Sequence, residues 1–206
     1  MKALRNLLAR LGHKLFPFRL LVGLGMALSA LEWICPTPLF ERPYRAAQSL
    51  ALLVILMGLS LREWSAGSAG HHTRSGRIEA PQLITGGAFA YLRNPIYAGS
   101  ICIGVGMSLL IGDPKAYLVA GLAFVFLYFA IVPAEEDYLQ TQFGADYLRY
   151  REAVPRFIPR LKPWQGRTET AFQWRAVYGE FGMLILLVTI YVALLFEEYL
   201  DKIGVS

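Results

Sequence analysis

The sequence predicts an all-α fold: a polytopic membrane bundle of about five transmembrane helices, with an N-terminal amphipathic helix. Three observations carry this. Several apolar runs approach or reach the ~18–20 residues that cross a ~30 Å hydrocarbon core. Of 206 residues, 55% are hydrophobic and 17% charged, below the roughly 25% charge of soluble domains. Lys and Arg are confined to the segments between apolar runs, as membrane topology requires.

Over residues 1–17, Leu4, Leu7, Leu8, Leu11 and Leu15 recur at helical spacing, with Lys2, Arg5, Arg10 and Lys14 on the other side. That is the pattern of an interfacial helix on an anionic surface. A cleaved signal is not expected, because Glu32-Trp33-Ile34-Cys35-Pro36 offers no small-x-small site. The first span is placed at Phe18 to Ile34 and the second at Ala46 to Leu61. Residues 65–81, rich in glycine and serine without apolar periodicity, are expected as a loop. Pro95 opens the third span, which ends near Gly112-Asp113-Pro114. The fourth occupies Ala116 to Val132, where Pro133 is expected to break the helical ladder. A last span, Tyr178 to Phe196, is left to packing or to homo-oligomer formation. The organisation is thus 1–17, 18–81, 82–160 as the core, and 161–206.

Counting Lys and Arg on alternate sides gives five, four and seven against two, one and one. The positive-inside rule puts the N-terminus, the 62–95 region and residues 134–175 in the cytoplasm, with the C-terminus opposite. In a bacterium this would be the inner membrane. The net charge of +5 therefore reflects topology, and nucleic acid is not expected as a partner. Cys35 and Cys102 lack CxxC spacing. His71 and His72 lie in the flexible loop without convergent ligands, so no metal site is expected.

Three polar clusters carry the chemistry. The first runs from Leu83 through Gly86-Gly87 to Arg93-Asn94-Pro95-Ile96-Tyr97-Ala98-Gly99, a glycine turn entering a proline-started helix. Helix N-termini present free N–H groups and a positive dipole end suited to carboxylate or phosphate. The second is Glu135-Glu136-Asp137 at the end of the fourth span, costly at that depth unless solvated or paired. The third is Phe143-Gly144 to Val154-Pro155, with Phe143, Tyr147, Tyr150 and Val154 on one helical stripe.

Together, and in this order, the clusters resemble the isoprenylcysteine carboxyl methyltransferases and phospholipid N-methyltransferases, one superfamily of membrane methyltransferases. The resemblance covers roughly residues 82–159 and includes Leu139. It implies an S-adenosylmethionine pocket at the cytoplasmic face, touched by Gln82, Leu83, Ile84, Phe89, Asn94, Pro95, Ile96, Tyr97 and Glu135. Asn94 stands where the pattern usually has histidine, as in the Asn-Pro-x-Tyr-x-Gly form found among phospholipid methyltransferases. Ile131 stands where carboxyl methyltransferases carry an arginine that can hold a substrate carboxylate.

The expected function is methyl transfer to a lipid-like substrate entering from the bilayer, with slight preference for a phospholipid amine. Glu136, Asp137 and Tyr147 are candidate proton acceptors by placement, and Arg93 adds charge to the catalytic region. Carboxyl O-methylation, with Arg93 or Arg156 holding the acid, and S-methylation of a small thiol are the alternatives. A scaffold or transporter component is the non-enzyme alternative.

Overall fold

The structure, a computed structural model, describes residues 45–70 and 81–204. The expected interfacial helix, the first span and most of the 65–81 loop lie outside the described residues. Within them, every regular element is helical: α1 (Arg45–Ala69), α2 (Pro95–Ile111), α3 (Pro114–Phe126), α4 (Val132–Ala153), α5 (Trp174–Val177) and α6 (Phe181–Lys202). Among the described residues, three helices are long and apolar enough to cross a membrane, Ala46–Ala69, Pro114–Ala153 and Trp174–Lys202, and Pro95–Ile111 is a shorter apolar helix.

α1 and α2 pack nearly backbone to backbone. A Cβ on Gly58 would sit 2.6 Å from the Gly99 carbonyl oxygen, and one on Gly106 would sit 2.9 Å from that of Ala51. Lipid tails are as apolar as leucine, so helices in a bilayer associate through such close van der Waals contact between small residues. Ala51, Ile55, Leu59, Ile103 and Leu110 are buried between them, and Leu187 of α6 joins this core.

A buried ion pair fixes the same three segments. Arg62 of α1 donates from Nε to Glu180 Oε2 at 2.8 Å and from Nη1 to Ser100 Oγ of α2 at 2.5 Å. Glu180 ends the 3-10 turn (Tyr178–Glu180) that opens into α6. The C-terminal helix, which the sequence left to packing or oligomer formation, is thus packed on α1 and α2.

Two local expectations are corrected. Residues 65–69 are helix rather than loop: Ser65 and Ser68 donate to the carbonyls of Leu61 and Trp64 one turn back. Their polar groups are satisfied inside the helix, so a serine-rich composition need not break it. Nor does Pro133 end the helix that carries the fourth span. The chain continues from Pro114 to Ala153 over 40 residues, with a π-helical turn at Leu127–Ile131 just before the proline. The wider turn relieves the clash between the proline ring and the preceding carbonyls. Up to Gly144, where φ +52° and ψ −120° interrupt the helix, the rod is about 45 Å long at ~1.5 Å per residue, longer than the ~30 Å hydrocarbon core. α4 therefore stands beyond the membrane.

Glu180→Ala leaves Arg62 buried without its carboxylate. We expect about 3–5 kcal/mol of lost stability, read as a lower unfolding midpoint in detergent, with Arg62→Met/Glu180→Leu recovering most of it. Equal midpoints for wild type and Glu180→Ala would contradict this role.

Candidate functional site

The polar end of the bundle is assembled by a strap, residues 154–173, that leaves α4 and crosses the loop before α2. Its backbone pairs with that loop: Arg93 N–H donates to Pro155 O (2.8 Å), Asn94 N–H to Arg156 O (3.2 Å), Arg160 N–H to Tyr91 O (3.0 Å) and Trp164 N–H to Ala90 O (2.9 Å). Further along, Thr168 N–H donates to Thr85 Oγ1 (2.8 Å), and Gln173 N–H to Gly67 O (2.8 Å) at the end of α1. The two polar segments that charge counting put on one side do meet.

The glycine turn is compressed between α1 and the strap. Gly87 has φ +56°, and a Cβ there would lie 2.0 Å from Ser68 Oγ; one on Gly86 would lie 2.3 Å from Thr168 O. Both glycines are therefore required by close approach, and at Gly87 also by a conformation that L side chains rarely adopt.

Glu136 is the electrostatic centre. It is 6% exposed and receives Arg156 as a fork, Nη2 to Oε2 at 2.6 Å and Nε to Oε1 at 3.0 Å. Arg93 Nη1 lies 3.2 Å from the same carboxylate. Arg156 also rests over the Tyr128 ring, 5.5 Å from its centroid. The Phe143 stripe packs as its spacing predicts: Tyr147, Tyr150 and Val154 are buried with Leu83, Leu139, Phe143 and Trp164. Tyr150 donates its hydroxyl to Phe89 O at 2.8 Å. Gly144 turns the helix with φ +52° and ψ −120°, bending it so that its last turns meet the strap.

The structure thus gathers Leu83, Phe89, Arg93, Asn94, Glu136 and Tyr147 around one region. Pro95 is buried at the first position of α2, with Ile96 and Tyr97 half-buried in its first turn. Glu135 is half-buried in the first turn of α4; Ile84 is half-buried, and Gln82 and Asp137 are exposed. Sequence reasoning did not single out Trp164, Tyr128 or the Thr85–Thr168 pair, and it named Arg156 only as an alternative cation. The Val154-Pro155 motif marks where the strap begins, but nothing local marks where it goes.

Two buried donors fit a bound polar ligand. Asn94 is 8% exposed and its Nδ2 has no hydrogen-bond partner among the described residues, nor has Arg93 Nε. Asn94 does not cap α2 with its side chain. Buried donors left without acceptors cost roughly 1–3 kcal/mol each, so an acceptor bound there would be held by groups already in place.

Burial pushes the Tyr147 phenol well above its ordinary value, and the Glu136 charge pushes it the same way; burial does likewise to Tyr150. Both stay protonated phenols at neutral pH. Because the folded chain keeps protons that the unfolded chain releases near pH ~10, this contribution to stability is complete below about pH 10 and is lost as pH rises above it. Tyr147→Phe should flatten the alkaline fall in stability measured by denaturation in detergent. An unchanged alkaline slope would contradict it.

The family described as phospholipid methyltransferase matches residues 46–146. Protein-S-isoprenylcysteine O-methyltransferase B of Arabidopsis thaliana is 30% identical over 144 residues, 66% of this chain and 73% of that protein. The protein-S-isoprenylcysteine O-methyltransferase of Schizosaccharomyces pombe is 31% identical over 130 residues, 61% of this chain and 55% of its own length. That of Mus musculus is 30% identical over 116 residues, covering 54% and 41%. The matched stretch carries α1, α2, the membrane rod and the Glu136 centre, and on that ground the chain belongs to the superfamily of membrane methyltransferases that unites the phospholipid and isoprenylcysteine enzymes.

Proposed function

We propose that this methyltransferase transfers a methyl group from S-adenosylmethionine to the carboxylate of a lipid-like acid at the cytoplasmic membrane face. The observation that carries the reading is the state of its candidate proton acceptors. Glu136 is held by two arginines, Tyr147 is a phenol kept protonated, and Asp137 is exposed to solvent. An amine must lose a proton to be methylated, whereas a carboxylate is already a nucleophile and needs no base.

Charge supports the same reading. Arg93 and Arg156 both face the Glu136 carboxylate, so two cations stand where an acid would be held. The slight preference for a phospholipid amine rested on Ile131 standing where an arginine could hold an acid. Ile131 is fully buried, but cations approach instead from the loop and the strap. The relatives' names, isoprenylcysteine O-methyltransferases, favour a carboxyl acceptor too.

When bound, S-adenosylmethionine would supply an activated methyl to a carboxylate oxygen, with its thioether product as the leaving group. The chain's own residues bind, orient and exclude water. Asn94 Nδ2 would donate to the cofactor from the start of α2, with Gln82, Leu83, Ile84, Phe89, Pro95, Ile96, Tyr97 and Glu135 around it. Arg93 Nε and Arg156 would hold the acid in line, which is where most of the acceleration of an activated donor comes from. Glu136 positions both arginines, and Tyr147 and Tyr150 seal the loop against α4.

Calorimetry on detergent-purified protein should show saturable cofactor binding, weakened roughly ten- to hundred-fold by Asn94→Ala, the loss of one hydrogen bond to a charged group. With radiolabelled donor, an S-prenylated cysteine acid should acquire a base-labile methyl ester and phosphatidylethanolamine should not. Label in phosphatidylethanolamine with none in the acid would overturn the carboxyl reading.

A further inference from the structure

Tyr128 stands at the junction of the membrane rod and the strap, and neither the sequence pattern nor the proposed chemistry assigns it a task. Its ring carries the Arg156 guanidinium, 5.5 Å from the ring centroid. It also meets Phe157, the next residue of the strap, with 5.7 Å between centroids and planes inclined by 31°. Phe157 in turn reaches Phe124 (6.0 Å), which itself packs on Tyr128 (5.8 Å). Two consecutive strap residues, one charged and one apolar, are therefore seated on a single ring.

The π turn explains how that ring comes to face the polar centre. Tyr128 lies within it, at Leu127–Ile131, eight residues before Glu136. At about 100° per residue, side chains eight apart in an unbroken α-helix point about 80° apart. A π turn takes in one residue more than an α turn, which winds the helix back by about 100° and leaves the two within about 20° of one line. Arg156 bridges them: Nη2 donates to Glu136 Oε2 at 2.6 Å and Nε to Oε1 at 3.0 Å, while its central carbon sits over the Tyr128 ring.

A carboxylate alone does not hold an arginine in one orientation. It fixes the edge of the guanidinium through paired hydrogen bonds, but the long side chain keeps rotamer freedom about that edge. An aromatic face under the flat group removes this freedom, because a guanidinium stacks where an ammonium does not.

We infer that Tyr128 is the positioning residue for Arg156: its ring, brought into line with Glu136 by the π turn, holds the guanidinium where it grips the substrate carboxylate. The inference rests on the carboxyl-methylation reading, which gives Arg156 an acid to hold. A guanidinium displaced from the ring would still pair with Glu136 but would meet the acid out of line. Loss of the ring should therefore show in recognition of the carboxylate and not in cofactor binding.

The test uses purified full-length protein and two probes, an S-prenylated cysteine acid and its carboxamide, which differ only at the group that Arg156 would hold. The acid-over-amide preference in binding is measured by calorimetry for wild type, Tyr128→Leu, Tyr128→Phe, Arg156→Met and the double variant Tyr128→Leu/Arg156→Met, with cofactor binding and methyl ester formation alongside. Tyr128→Leu is expected to cut the preference roughly three- to thirtyfold, the span of a cation on an aromatic face. Tyr128→Phe, which keeps the ring, should restore most of it, and Tyr128→Leu should cost nothing further in the Arg156→Met background. Tyr128→Met takes the place of Tyr128→Leu if that variant does not fold. A role confined to seating Phe157 would weaken acid and amide alike. That result, an unchanged preference in Tyr128→Leu, or the same loss with and without Arg156 overturns the inference. Acid preference that depends on Tyr128 through Arg156, without methyl ester formation in wild type, would uphold it and overturn the carboxyl reading. Ester formation with a preference indifferent to Tyr128 would do the reverse.

Discussion

A carboxylate taken out of water must be matched by cations, and Glu136 meets that constraint with arginines from two separate segments. Arg93 comes from the loop before α2 and Arg156 from the strap after α4. The main chain binds the same pieces, because Asn94 N–H donates to the carbonyl of Arg156 itself. One residue therefore fixes both where the strap lies and where the charge sits. Removing a partner from such a group leaves an uncompensated buried charge, which costs far more than an exposed pair would.

Around this centre the strap does the work that a sheet edge does in soluble folds. It supplies backbone acceptors and donors to the stretch from Thr85 to Asn94, which has a single short 3-10 helix, Gly87–Ala90, of its own. Glycines at 86 and 87 let it approach closely, and Trp164 closes over Tyr150, with centroids 5.6 Å apart. The outcome is a region whose buried Asn94 Nδ2 and Arg93 Nε have no hydrogen-bond partner among the described residues. For transfer of an already activated methyl group, alignment and exclusion of water matter most.

The membrane half obeys a different physics. There, glycine contacts bring α1 and α2 together, and the Arg62–Glu180 pair ties α6 to them. The π turn lets one rod carry the apolar wall at Tyr117–Phe124, the Tyr128 ring and the Glu136 carboxylate in a single line. The membrane-spanning part and the polar face are joined through that rod.

By itself, the sequence determined what depends on local periodicity and composition: the apolar spans, the proline start of α2, and the Tyr147, Tyr150 and Val154 stripe. The three polar clusters were legible for the same reason, since charge between apolar runs is conspicuous. Pairing was not. Arg156 and Glu136 are 20 residues apart and Arg62 and Glu180 are 118 apart, and no spacing rule chooses among twenty Lys and Arg residues. The helix through Ser65–Ala69 and past Pro133 was also hidden, because propensity registers a breaker but not the hydroxyl bonds or π turn that accommodate it. Only the tertiary structure decided which arginines face the carboxylate and which glycines are touched by another backbone, because both depend on which segments the fold brings side by side.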